Sequence, residues 1–200
     1  MIKIVLAILM VMGSSITSAK NILVVGDSLS AGYGINAEQG WVALLQHKLQ
    51  AENKSFQVFN ESISGDTTAG GLARIDSALS KHRPDILLLE LGANDGLRGL
   101  SPNIMQANLT EIIKRSQKAG AKVLLLGIRI PLNYGKRYSD MFYTVYPTLA
   151  KNLKVSLVPF MLEDVALNKN FMQADGLHPN AEAQPVLLET IWSNLMPLVK

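Results

Sequence analysis

The 200-residue chain suits one domain and is long enough to bury roughly 70% of its unfolded surface without a metal or disulfide staple. Hydrophobic residues make up 48% and charged residues 18%, a globular composition that excludes a disordered chain. The net charge of +3 is spread over Lys and Arg interleaved with acidic residues, which excludes the basic patch of a nucleic-acid binder, and the lack of any cysteine excludes disulfides, thiolate zinc sites and a cysteine nucleophile.

Met1-Ile2-Lys3 carries one positive charge, Ile4 to Met12 is an unbroken apolar run, and Gly13-Ser14-Ser15 leads to Thr17-Ser18-Ala19. This is the pattern of a secretory signal peptide cleaved after Ala19. The run falls well short of the ~20 residues a membrane-spanning helix needs. Residues 1–19 are therefore expected as an export signal and residues 20–200 as one domain. With no cysteine to lipidate, no stable membrane anchor is expected.

The rest alternates short apolar runs with amphipathic segments. Ile22 to Val25 reads as a strand ending at Gly26. Trp41, Leu44, Leu45 and Leu49 recur at helical spacing, so Glu38 to Ala51 reads as a helix. Phe56 to Phe59 is a second strand. Leu72, Ile75 and Leu79 mark a helix stopped before Pro84. Asp85 to Leu91 is almost wholly apolar, as a strand covered on both faces must be. A helix from Pro102 toward Gly120, a strand at Val123 to Leu126, a helix at Tyr138 to Asn152, a strand at Val155 to Val158 and a helix at Ala183 to Leu195 complete the series. Strands alternating with helices predict a parallel five-stranded sheet with helices on both faces, a single three-layer α/β/α domain.

In such sheets ligands bind beyond the carboxyl ends of the strands, where the strand order reverses. Strand one runs into Gly26-Asp27-Ser28-Leu29, strand two into Ser62-Ile63-Ser64-Gly65-Asp66, and strand three into Gly92-Ala93-Asn94-Asp95-Gly96. With the order 2-1-3-4-5 these loops are neighbours. Ser28 reads either as a nucleophile at the sheet edge or as a turn and helix-cap serine. Asp175-Gly176-Leu177-His178 places a carboxylate three residues before a histidine, able to orient the imidazole and stabilise its protonated form; the plainer reading is a loop hydrogen bond. His47 and His82 fall in predicted helices and read as surface residues. The Ser28 and Gly65 N–H groups and the Asn94 amide are available as donors to an oxyanion, Gly65 allowing close approach because it has no Cβ. Turn and cap roles account for Gly65 and Asn94 equally when each is taken alone.

Gly26-Asp27-Ser28-Leu29, Gly65, Asn94 and Asp175-x-x-His178 together resemble the four sequence blocks of the SGNH, or GDSL, hydrolase family, in order and near its spacing. The stretches GDSLSAGYG, SISGDT, LELGANDGLRG, IRIPLNYGKRY and DGLHPN extend the resemblance over most of the chain. It implies a flavodoxin-like sandwich with Ser28 as nucleophile, His178 as base, Asp175 as its orienter, and Ser28, Gly65 and Asn94 as oxyanion donors. It further implies a monomeric, periplasmic or secreted enzyme that needs no cofactor or metal. Its substrates would be acyl thioesters and esters, including lysophospholipids drawn from membranes, with peptides cleaved weakly. Gly96 to Ser101 matches a mobile loop lining the acyl site in relatives, which adds Gly96, Leu97 and Leu100 as acyl-contact candidates, and Ile130 in the IRIPLNYGKRY stretch is a fourth. Ala93 departs from the glycine common there. Asp27 and Asp95 read as loop-stabilising residues. Two rivals stay open: a carbohydrate deacetylase, and a non-catalytic module holding an anion at a helix N-terminus.

Overall fold

The computed structural model describes residues 19–200, so the expected export signal lies outside the described residues except for Ala19. Five strands, β1 (Lys20–Gly26), β2 (Phe56–Asn60), β3 (Ile86–Glu90), β4 (Lys122–Leu126) and β5 (Ser156–Val158), form one sheet in the order β2-β1-β3-β4-β5. Every pairing is parallel. The expected architecture is observed, and the strand order is the one that makes the loops after β1, β2 and β3 neighbours.

The central strands explain themselves. Ile22 to Val25, Leu87 to Leu89 and Leu124 to Leu126 are wholly or almost wholly shielded from solvent, because helices cover both faces of a parallel sheet and leave no polar side. On one face, α3 (Thr68–His82), α5 (Pro102–Lys118) and α6 (Lys136–Leu153) pack side by side. Ile75, Leu109, Ile112, Phe142 and Leu149 form their buried stripe. On the other face, α2 (Trp41–Ala51) pairs with α7 (Gln184–Leu195) through Trp41, Leu45, Leu49, Leu187 and Ile191. Among the described residues no helix is long and apolar enough to cross a membrane.

The structure departs from the periodicity reading in several places. The helix expected from Glu38 is a short turn, Ala37–Gln39, followed by extended Gly40 (φ −67, ψ 147) and then α2. The Gly40 N–H closes the turn onto Ala37, and the Trp41 N–H at the new start is met by Gln184 Oε1 at 3.1 Å. The last helix starts at Gln184 because Asn180 caps a separate turn, Ala181–Ala183. The segments after β1 and β3, expected as loops, wind into short helices, α1 (Ser28–Ala31) and α4 (Ala93–Leu97). His82 is also not an ordinary surface residue. Its side chain is 9% exposed, its Nε2 lies 2.6 Å from Glu61 Oε1, and its ring stacks against Phe59. The acceptor comes from the segment after β2, which helical spacing alone does not bring near.

Gly127, just past β4, packs against the turn that follows β5. Its N–H donates to Val158 O at 2.8 Å and its carbonyl accepts from Met161 N at 3.0 Å. A Cβ here would run into the backbone of Val158 and Pro159. Gly127→Ala should therefore destabilise by about 1–3 kcal/mol, as overpacking does, lowering Tm by roughly 2–4 °C for each kcal/mol. An unchanged Tm in thermal denaturation would show that the β5 turn yields freely.

Candidate active site

The sheet order sets the site. β1 lies between β2 and β3, so the chain leaves β1, β2 and β3 at adjacent carboxyl ends, at the point where strand order reverses. Asp27 ends β1 by capping α1: its Oδ1 accepts the Leu29 N–H at 3.1 Å. That turn places Ser28 at the first helical position, half-buried, with its side chain free to point out of the sheet.

His178 arrives from the other end of the chain. An antiparallel bridge between Met172 and Pro179 closes its loop, and Gln173 ties that loop to the Tyr33 carbonyl at 2.7 Å and the Pro179 carbonyl at 2.9 Å. His178 Nε2 lies 2.9 Å from Ser28 Oγ, and His178 Nδ1 lies 2.7 Å from Asp175 Oδ2. The Tyr33 ring leans on the imidazole at 4.6 Å between centroids. Asp175 Oδ1 also accepts the backbone N–H groups of Leu177 and His178, at 2.9 and 3.0 Å. An ionised Asp175 can only accept, so the Nδ1 it faces carries the hydrogen and Nε2 offers its lone pair to Ser28.

The remaining expected donors surround Ser28 unequally. Gly65 sits in the left-handed region at φ +80, its carbonyl held by Arg98 Nη2 at 2.9 Å. Neither the Ser28 nor the Gly65 N–H is engaged by another loop or side chain among the described residues. Asn94 is different. Its Nδ2 donates to Asp66 O at 2.9 Å and to Asp27 Oδ2 at 3.1 Å, so both of its N–H groups are already in use. Donation to a third acceptor must draw on one of these bonds.

A cleft of about 270 Å³ opens beside Ser28 and His178. Its wall is mainly apolar, with Leu29, Leu97, Ile128, Ile130, Leu162 and Leu177. Leu97 and Ile130, two of the acyl-contact candidates, thus face it. Gly96 lies behind the wall, where a Cβ would meet Ile130 and Phe142. Leu100 lies outside the lining, 43% exposed, with its carbonyl accepting the Tyr138 hydroxyl at 2.7 Å.

Three further residues support this arrangement; Asp95 is expected from the sequence as a loop-stabilising residue, whereas Arg74 has no obvious mark there. Arg74 reaches from α3 to Asp66 Oδ2 and toward the Gly26 carbonyl, at 2.8 and 3.4 Å, joining the ends of β1 and β2. Asp95, 2% exposed, accepts from the Thr68 N–H at 2.9 Å and from its hydroxyl at 2.5 Å, tying α4 to α3. Tyr33 does lie inside the GDSLSAGYG stretch, which was its one available signal.

Three hydrogen bonds, led by that from the His178 N–H, pull the Asp175 carboxyl down to about 2. A depressed carboxyl stabilises the fold above its ordinary range, and the contribution fades as pH falls toward about 2. Asp175 therefore stays charged through mild acid, and its labelled carboxyl carbon should titrate near 2 by NMR. A midpoint at the ordinary value of about 4 would mean these hydrogen bonds are not held in solution.

The model of the GDSL-like Lipase/Acylhydrolase family matches residues 24–185. The chain is 51% identical over 182 residues to the esterase TesA of Pseudomonas aeruginosa, covering 91% of this chain and 90% of that protein. It is 46% identical over 182 residues to the thioesterase 1/protease 1/lysophospholipase L1 of Escherichia coli K12, covering 91% and 86% respectively. A crystal structure of TesA superposes with a TM-score of 0.88 at 51% identity, over 90% of this chain and 99% of that one. The chain belongs to the GDSL-like lipase/acylhydrolase family.

Proposed function

We propose that the protein is an exported serine esterase and thioesterase acting through an acyl-Ser28 intermediate. The observation that carries this reading is the 2.9 Å contact between Ser28 Oγ and His178 Nε2 at the mouth of an apolar cleft. Relatives about half identical over nine-tenths of the chain carry the names esterase and thioesterase/protease/lysophospholipase.

In this mechanism Ser28 Oγ attacks the acyl carbonyl while His178 Nε2 takes its proton, and Asp175 stabilises the resulting imidazolium. The carbonyl oxygen becomes an oxyanion facing the Ser28 and Gly65 N–H groups and the Asn94 amide. Collapse expels the leaving group, which leaves with the proton from His178. Water, deprotonated in turn by His178, then attacks the acyl-enzyme and releases the acid, returning the proton to Ser28. Losing one fixed donor of this kind costs roughly 100- to 1000-fold in rate.

The leaving group sets the order of substrates. A thiol has a pKa of about 8.5, so a thiolate departs readily, whereas an amide nitrogen must first be protonated. Thioesters and aryl esters should turn over fastest, lysophospholipid-type esters next and peptides slowest. The apolar lining by Leu29, Ile128, Ile130 and Leu162 suits an acyl chain rather than a sugar. Residues 1–19 are read as the export signal and the periplasm as the destination, with the enzyme working as a monomer on small acyl substrates.

Hydrolysis of acyl-CoA and p-nitrophenyl esters graded from acetyl to palmitoyl tests this reading. Activity should favour medium or long chains and fall at least about a thousandfold in Ser28→Ala. Restriction to acetyl esters would instead indicate a deacetylase, and turnover surviving in Ser28→Ala would remove Ser28 as nucleophile. Asn94→Ala should lower kcat by roughly 100-fold or more with KM little changed, because its donor acts on the transition state.

A further inference from the structure

Two carboxyls that this mechanism does not use lie directly beneath the Ser28 turn. Glu90 ends β3 and Asp27 follows β1; both are 0% exposed, and the strand register sets Gly26 opposite Glu90. Glu90 Oε2 accepts the Asp27 N–H at 3.2 Å and the Ser30 hydroxyl at 2.8 Å. Glu90 Oε1 is buried and meets no donor among the described residues. The bond from the Asp27 N–H sets the two side chains next to each other, and Asp27 in turn accepts from the Leu29 N–H and the Asn94 amide.

Among the described residues no cation pairs with either carboxyl. Arg74 reaches the Gly26 carbonyl, but it spends its charge on Asp66. The titratable groups facing the pair are His178 from the loop before α7 and Tyr146 from α6. Tyr146 is itself pushed up by burial and by the Glu90, Asp27 and Asp95 carboxylates. Two neighbouring carboxylates in a low-dielectric interior cannot both ionise at modest cost, so one of them keeps a proton. Burial, with the Asp27 charge beside it, drives Glu90 well above the usual carboxyl range. Burial lifts Asp27 only to about 6, because the Leu29, Glu90 and Asn94 hydrogen bonds oppose it.

We propose that Asp27 and Glu90 share one proton, carried by Glu90, and that this pair positions both the Ser28 turn and the Asn94 amide. The proposal rests on the reading of Asn94 as an oxyanion donor. The protonated Glu90 donates to Asp27, and the single charge on Asp27 holds two N–H groups: that of Leu29, which sets the Ser28 turn, and one from Asn94. Because Glu90 already draws on that charge, the Asn94 N–H is aligned but loosely held. A full negative charge developing on the substrate oxygen can then compete for it. Glu90 and Asp27 are positioning residues, since neither touches the reacting atoms.

Infrared spectroscopy of the folded protein combined with ester kinetics tests this. At about pH 8, where an ordinary carboxyl is fully ionised, the native protein should show a protonated-carboxyl C=O band that is missing in Glu90→Gln. Glu90→Ala should lower kcat on a p-nitrophenyl ester by about tenfold or more, a share of what one oxyanion donor supplies. KM should move by less than about twofold. Glu90→Gln, whose amide donates to Asp27 as the acid does, should recover most of that loss. Absence of the band in the native protein overturns the proposal, as does a Glu90→Gln variant as slow as Glu90→Ala. The infrared result needs no turnover, so it stands apart from any failure of the esterase reading, and it still decides if Glu90→Ala does not fold.

Discussion

The position of β1 between β2 and β3 is the constraint on which the rest of the molecule depends. Because all five strands are parallel, every strand delivers its carboxyl end to the same edge. Because β1 is flanked by β2 and β3, the chain turns to one side after β1 and to the other after β2. Ser28, Gly65 and Asn94 follow three adjacent strands for this reason. Burial of Ile22 to Val25 and Leu87 to Leu89 on both faces fixes the strands that carry them. The site thus draws its precision from the most deeply packed part of the core, where displacement is most costly.

What the sheet cannot supply is the histidine, which lies 150 residues from the serine in sequence. Its loop has little apolar burial of its own. It is held instead by the Met172–Pro179 bridge, by the Gln173 bonds to Tyr33 and Pro179, and by the Asp175 cap on its own backbone. One side chain, Asp175, both folds the turn and faces the imidazole, so ordering the loop and setting the tautomer are a single event.

The site treats its carboxylates in opposite ways. Asp175 is exposed and surrounded by N–H donors, which keep it ionised. Asp27 and Glu90 are buried with too few donors between them, which raises both. Environment rather than residue type separates a fixed anion beside the histidine from a protonated pair beneath the serine. Asp95 shows a third solution, with its buried carboxylate occupied by Thr68 and its neighbouring loop fastened by it.

The sequence by itself determined the elements and their order. Apolar runs such as Asp85 to Leu91 report burial on two faces, and 3.6-residue spacing reports a helix with one buried stripe, so the layers followed from local pattern. The Asp175–His178 pairing was legible for the same reason, since three residues within one turn settle it. Tertiary structure alone decided which distant groups meet. Nothing local announces that Glu61 meets His82, that Arg74 clasps Asp66, that Asn94 already spends both N–H groups, or that Glu90, at the end of an apolar strand, turns its carboxyl toward Asp27. Those contacts are set by the register between parallel strands and by the loops that cross between them. Periodicity records which face of a segment is buried, but it carries no information about what that face is buried against.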